Sequence, residues 1–113
     1  MPCLDISTNV KLDGINNIDS VFSELTKVVA AILGKPETFV MVLIKGSVAL
    51  TFGGNKEPAA FAEIVSMGGI DSQVKRKLIS SIGTTLQDKL SISPTRFILK
   101  VHDTTMFRNK SKL

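Results

Sequence analysis

Few residues of the types that do chemistry stand in this chain, and their numbers exclude several kinds of it at once. Cys3 is the only cysteine, so no intramolecular disulfide and no all-cysteine metal site can form. His102 is the sole histidine, which leaves multi-histidine metal sites and Ser-His-Asp catalysis little to work with, and it reads as a strand residue. Gly53-Gly54 and Gly68-Gly69 lack the glycine-lysine-hydroxyl spacing that cradles a nucleotide phosphate. No cofactor is suggested by any of these patterns. Read one at a time, the remaining candidates have plain explanations. Met1-Pro2 is a common start, Lys35 favours a helix C-terminal dipole whatever it binds, and a methionine such as Met67 often fills gaps in a core.

Charge narrows the field further. The chain of 113 residues carries a net charge of +4, but residues 1 to 95 hold nine Lys/Arg against nine Asp/Glu. The excess lies in Arg96, Lys100, Arg108, Lys110 and Lys112, opposed only by Asp103. A nucleic-acid binder carries its basic residues across the folded body, so nucleic acid is not expected as a partner. Aromatic residues are six phenylalanines and no Trp or Tyr, which removes the usual stacking platforms and makes the core aliphatic. The apolar fraction of 43% suits one folded domain spanning 1–113. Its longest apolar run, Phe39 to Ile44, is far short of the roughly 20 residues of a membrane helix, so no membrane insertion is expected. The first residues lack a basic run leading into an apolar stretch, so no secretory signal is expected either, and a single cysteine fits a reducing compartment.

The elements that would position any site come from periodicity. Val21, Phe22, Leu25, Val28, Val29, Ile32 and Leu33 fall on one face of a helix from about Asp19 to Leu33, with Asp19 or Ser20 as its expected cap and Gly34-Lys35-Pro36 as its stop. Val74, Leu78, Ile82, Leu86 and Leu90 predict a second helix from about Ser72 to Leu90, capped by Asp71 and interrupted in composition by Gly83. After each helix comes the same phrase, Pro36-Glu37-Thr38-Phe39 and Pro94-Thr95-Arg96-Phe97, at an offset of 58 residues. The same offset sets Leu4-Asp5-Ile6 against Ala62-Glu63-Ile64, so each half reads strand, helix, strand, with the two strands parallel. The expected fold class is therefore α+β: two βαβ halves related by a pseudo-twofold, a four-stranded sheet, and both helices on one face. Val48 to Phe52 is expected to add a short extra strand. Because Phe39 to Ile44 is apolar at every position, burial on both sheet faces is expected, and with it an oligomer that covers the face the helices leave open.

Several short motifs now agree in order and spacing. Met1-Pro2, Ser23-Glu24-Leu25-Thr26, Gly34-Lys35-Pro36, Phe52-Gly53-Gly54, Glu57-Pro58, Ser66-Met67-Gly68 and Ile92-Ser93-Pro94 resemble the macrophage migration inhibitory factor and D-dopachrome tautomerase family, from Pro2 to about Asp103. With the ending Ser111-Lys112-Leu113, the chain looks most like a plant member. The resemblance implies a homotrimer whose sheets surround a central barrel, without a cofactor. It implies that Pro2, freed by removal of Met1, is the catalytic base in keto-enol tautomerisation of phenylpyruvate-like or dopachrome-like substrates, small aromatic keto or enol acids. A terminal amine titrates near about 7.7 to 8.0, and apolar surroundings and a nearby cation would both lower that value. By the same resemblance Lys35 supplies the cation and holds a substrate carboxylate, and Met67 supplies a backbone contact.

Departures from the family pattern qualify this. Ile98 and Lys100 stand where animal members contribute a tyrosine and an asparagine from the neighbouring subunit. Turnover of hydroxyphenylpyruvate is therefore expected to be weak or absent. Ala59-Ala60-Phe61-Ala62 replaces the Cys-x-x-Cys of some animal members, which excludes dithiol redox activity. The alternative function is a non-enzymatic, cytokine-like binding or signalling module whose partner is a protein receptor. Finally, residues 104–113 read as a basic tail ending in Ser111, Lys112 and Leu113, a peroxisomal address for an import receptor. The expected location is the peroxisome, with the cytoplasm as a second residence.

Overall fold

The computed structural model describes residues 1–15 and 17–104. Six elements follow one another: β1 (Cys3–Thr8), α1 (Ile18–Leu33), β2 (Met41–Lys45), β3 (Ala60–Ser66), α2 (Ser72–Leu90) and β4 (Phe97–Asp103). A single 3-10 turn precedes each second strand, at Glu37–Phe39 and at Pro94–Arg96, so the repeated proline phrase has one structural meaning in both halves. The sheet order is β2-β1-β3-β4. β1 runs parallel to β2 and β3 parallel to β4, while β1 and β3 pair antiparallel through Leu4↔Ile64, Asp5↔Glu63 and Ile6↔Ala62. The pseudo-twofold thus passes between Asp5 and Glu63, and the α+β class with two βαβ halves is what the structure has.

Alternation along the strands decides what faces the helices. Leu4, Ile6 and Thr8 in β1 and Ala60, Ala62, Ile64 and Ser66 in β3 are buried, and they meet Val21, Leu25 and Val29 of α1 and Leu78, Ile82 and Leu86 of α2. Thr8 and Ser66 apart, these side chains form one apolar cluster, in which Phe97 is the one buried aromatic among the described residues. Gly83 in mid-helix faces the Phe97 ring, where a Cβ would stand 3.4 Å away in ordinary contact, so space alone does not require glycine there.

Helix ends show one agreement and one correction. Gly34 takes the left-handed conformation (φ 65°), and the Lys35 N–H donates to the Ala30 carbonyl at 3.0 Å, closing α1 as expected. At the other end α1 is not capped by Asp19 or Ser20. Asn17 occupies the cap in a left-handed conformation with no side-chain bond, which draws Asp19 into the first turn. Asp71 does cap α2, its Oδ1 accepting from the Val74 N–H at 2.8 Å.

One further expectation is corrected. Val48 to Phe52 forms no extra strand: the Val48 N–H reaches the Thr8 carbonyl, and Phe52 and Asn55 make an isolated bridge. Both edges of β1 are already taken by β2 and β3, so the segment meets no free edge beside it. β2 has the two-sided apolar pattern behind the expected oligomer, and in a single chain the helices cover one of its faces. Val42 and Ile44 pack toward the core, whereas Met41 is 58% exposed on the face without helices. That open face is also more polar than the β2 run suggests, since it carries a Lys45–Asp5 ion pair at 3.1 Å and a His102–Glu63 contact at 3.1 Å.

The loop before β3 is held from inside the chain. Arg96 donates to the carbonyls of Phe52, Asn55, Glu57 and Pro58 at 3.0–3.4 Å, and its guanidinium lies 5.2 Å from the Phe52 ring centroid. Asn9 holds the same loop from β1, donating to Lys56 and Glu57 and accepting from the Ala59 N–H. A forked cation fits this set of four acceptors as a lysine cannot. Arg96→Ala is expected to lower unfolding stability by about 2 kcal/mol and Arg96→Lys to recover less than half of that, measured by urea denaturation.

Candidate functional site

The sequence candidates divide into two groups in the structure. Pro2, Lys35 and Met67 come to one end of the sheet, where β1 and β2 begin and β3 ends. Pro2 is fully buried, and its carbonyl accepts from the Met41 N–H at 2.9 Å, which fixes the start of β1 against the start of β2. Lys35 is half-buried on the short connection that leads from the cap of α1 to Met41. Met67 follows the last residue of β3 and is 42% exposed. Its neighbour Gly68 donates to Asp103 Oδ1 at 3.0 Å, and Thr104 donates through both its N–H and its hydroxyl to the Ser66 carbonyl. The chain around Met67 is therefore anchored to the end of β4.

Exposed apolar side chains surround this end. Met1, Phe39, Met41 and Met67 are 74%, 53%, 58% and 42% exposed, so a buried proline sits beneath an apolar rim. Lys35 gives that region a cation. A ring with a carboxylate on a short arm fits such a combination, the ring against the methionines and phenylalanine and the anion on the lysine.

Ile98 and Lys100 belong to the second group. They pair with Phe61 and Glu63 in β3, five and three positions from the Ser66↔Asp103 pair that marks the Pro2 end. At about 3.3 Å per residue, Ile98 lies roughly 17 Å along the sheet from that end. Both side chains also point to the open face, whereas Pro2 shares the alternation of Leu4 and Ile6. Within one chain the two groups do not meet. Ser111, Lys112 and Leu113 lie outside the described residues.

A groove of about 650 Å³ lined by Asn9, Ser47, Val48, Ala49, Leu50, Thr51 and Lys56 opens at the far end of β1, away from Pro2. It collects no catalytic pair, so chemistry, and not volume, places the candidate site at Pro2. Among the described residues no group of three or more His, Cys, Asp and Glu is placed to hold a metal ion, and no helix is long and apolar enough to cross a membrane.

Sequence reasoning passed over three features that the structure adds. His102 is in β4 as expected, but its contact with Glu63 was legible only once β3 and β4 were set in register. Arg96 entered the sequence reading only as part of the proline phrase and of the positive excess, not as the anchor of a loop. Ser66 is 1% exposed, and its hydroxyl has no hydrogen-bond partner among the described residues.

Two βαβ halves sharing one mixed sheet, with both helices on one face and a proline buried at the start of the first strand, define the tautomerase type of two-layer fold. The comparisons narrow this to a family. The model of the family described as macrophage migration inhibitory factor (MIF) matches residues 1–108, and the chain belongs to that family. It is 36% identical over 103 residues to the macrophage migration inhibitory factor homolog of Trichuris trichiura, covering 91% of this chain and 89% of that one. Against the Meriones unguiculatus macrophage migration inhibitory factor the identity is 30% over 103 residues, with 91% and 88% covered. The crystal structure of the homologue from Prochlorococcus marinus superposes with a TM-score of 0.84 at 28% identity, over 89% of this chain and 87% of that one. That of Trichinella spiralis gives 0.82 at 30% identity, over 89% and 88%.

Proposed function

We propose that the chain, once Met1 is removed, is a tautomerase of phenylpyruvate-like or dopachrome-like substrates with Pro2 as its base. The observation that carries the reading is the convergence of Pro2, Lys35 and Met67 at one sheet end in a member of this family. The neutral Pro2 nitrogen takes a proton from one atom of the keto-enol system and returns it to the other. The enol O–H and the α-carbon C–H are the two ends, so atoms balance and no oxidant or cofactor enters. Lys35 holds the substrate carboxylate, and the backbone at Met67 gives a second polar contact. Loss of turnover when Pro2 is blocked by a retained Met1 tests this.

The reading includes a homotrimer. Ile98 and Lys100 are out of reach of Pro2 in one chain, so they can line its site only from a second copy, and a closed ring of subunits supplies one neighbour to each site. Ile98 offers neither a hydroxyl nor a stacking ring, so hydroxyphenylpyruvate is a poor substrate. The same two positions favour the second reading, a binding or signalling module on this scaffold that meets a protein receptor. Equal phenylpyruvate rates with and without a free Pro2 nitrogen would leave only that one.

The tail adds a location. Ser111-Lys112-Leu113 supports import into peroxisomes through the receptor that reads this tripeptide, and it is the feature most like plant members. Fusing residues 104–113 to a reporter is expected to send it to peroxisomes, and removing Leu113 to leave it in the cytosol, by fluorescence microscopy. A reporter that stays cytosolic with the whole tail would remove the assignment.

A further inference from the structure

The hydroxyl of Ser66 is buried without a partner among the described residues, beside the residue proposed as the base. Serine hydroxyls taken out of water are nearly always hydrogen-bonded, and those that are not mark strain, a bound molecule or a working site. Its backbone gives no sign of strain, because the carbonyl accepts from both the N–H and the hydroxyl of Thr104. Only the side chain is left over.

Register says what lies next to it. β1 and β3 pair antiparallel up to Cys3↔Val65, and one further step sets Pro2 abreast of Ser66. Residues abreast in an antiparallel pair point to the same face, and both of these are buried. The Pro2 carbonyl is turned toward β2 by its bond from the Met41 N–H, so Pro2 and Ser66 form the narrow kind of antiparallel pair, with Cα atoms about 4.5 Å apart. The pyrrolidine ring is then within reach of a side chain as short as serine. While Met1 is attached, the ring nitrogen is an amide with no hydrogen to donate. When Met1 is gone it becomes a secondary amine, and its protonated form has two N–H bonds that diverge, one of which can turn away from β2.

We propose that Ser66 is a positioning residue for Pro2, its hydroxyl being the hydrogen-bond partner of the freed Pro2 nitrogen. The proposal rests on the reading of Pro2 as the base. A hydroxyl can accept from the prolinium N–H and donate to the lone pair of the neutral amine, so the same contact serves both states of the proton-transfer cycle. The bond to the cation is the stronger of the two. Ser66 therefore favours the protonated form and keeps the nitrogen from becoming too weak a base among apolar neighbours.

Among the described residues, the titratable groups at the Pro2 end of the surrounding elements are Lys35 and Glu37 on the connection after α1, Cys3 in β1, His102 and Asp103 in β4, and Asp71 and Lys75 at the start of α2. Replacing Ser66 leaves all of them in place. The test is a titration of Met1-free protein labelled with ¹⁵N-proline. Of the four prolines only Pro2 then has a nitrogen that gains and loses a proton. Ser66→Ala is expected to lower its midpoint by about one pH unit, and Ser66→Thr to hold it within a few tenths of the wild-type value. A serine with only a structural role would change the melting temperature and leave the titration where it was, and a Ser66→Ala midpoint equal to wild type overturns the proposal. The titration needs no turnover. A chain with no phenylpyruvate activity but a shifted midpoint would sink the enzyme reading and keep this one; an active chain with an unshifted midpoint would do the reverse.

Discussion

A chain that keeps Met1 is expected to tautomerise phenylpyruvate at least about a hundredfold more slowly than the same chain beginning at Pro2, since a positioned base contributes on the order of 10² or more. The cause is electronic. An amide nitrogen shares its lone pair with the carbonyl and cannot take a proton at neutral pH, whereas a free secondary amine can. Burial sharpens the contrast. Pro2 has no exposed surface to speak of, and desolvation disfavours the prolinium ion, so the freed nitrogen is expected to be neutral at a lower pH than an exposed terminus. Activity should therefore rise as pH climbs through the Pro2 midpoint and level off above it, because the neutral form is the working one. Pro2→Ala is the milder change. It leaves a primary amine in place but frees it to rotate, and a loss of roughly tenfold is expected from misplacement alone. The expected order is thus Met1-free chain fastest, Pro2→Ala intermediate and Met1-retaining chain slowest, followed by ultraviolet absorbance of the enol with intact masses checked. Equal rates for all three would remove Pro2 from the chemistry.

Much of the fold could be read before the structure because it repeats. Two proline phrases 58 residues apart, each placed after a helix with a clear apolar stripe, defined two equivalent halves, and both phrases turn out to be 3-10 turns that lead into strands. What failed was whatever depended on a partner distant in sequence. Val48 to Phe52 has the alternation of a strand, but a strand also needs a free edge, and β1 has none left. The cap falls at Asn17, ahead of the Asp19 and Ser20 expected, in a left-handed turn that leaves no pattern in composition. Charge misled in a similar way. Arg96 counted toward the positive excess near the end of the chain, yet its guanidinium is spent on four carbonyls of a loop some 40 positions earlier. The candidate site was legible in part for the same reason. Pro2, Lys35 and Met67 could be named from motif register, but Ser66 gains meaning only from the antiparallel pairing that sets it against Pro2.

Subunit mixing carries the other large effect. Ile98 is half-exposed on β4, far along the sheet from the Pro2 of its own chain, so a substitution there should touch chemistry only if a second copy delivers it. Ile98→Asp is expected to cut phenylpyruvate turnover at least about tenfold, because a carboxylate brought against the substrate carboxylate weakens binding at short range. A Met1-retaining chain is inactive for an independent reason. Neither protein alone should show much activity. Mixed in equal amounts and allowed to reassemble, they should regain about a quarter of the wild-type rate, the share of sites in a ring that pair an intact Pro2 from one chain with an intact Ile98 from its neighbour. The figure discriminates between arrangements. If the site were complete within one chain, no mixture could contain an intact one, since every subunit carries one lesion. Recovery near a quarter would therefore establish both that copies associate and that they share the site. No recovery, with trimers seen in analytical ultracentrifugation, would confine the chemistry to Pro2, Lys35 and Met67 of a single chain. Any loss caused by Ile98→Asp would then arise within its own chain, and the shared site would be overturned.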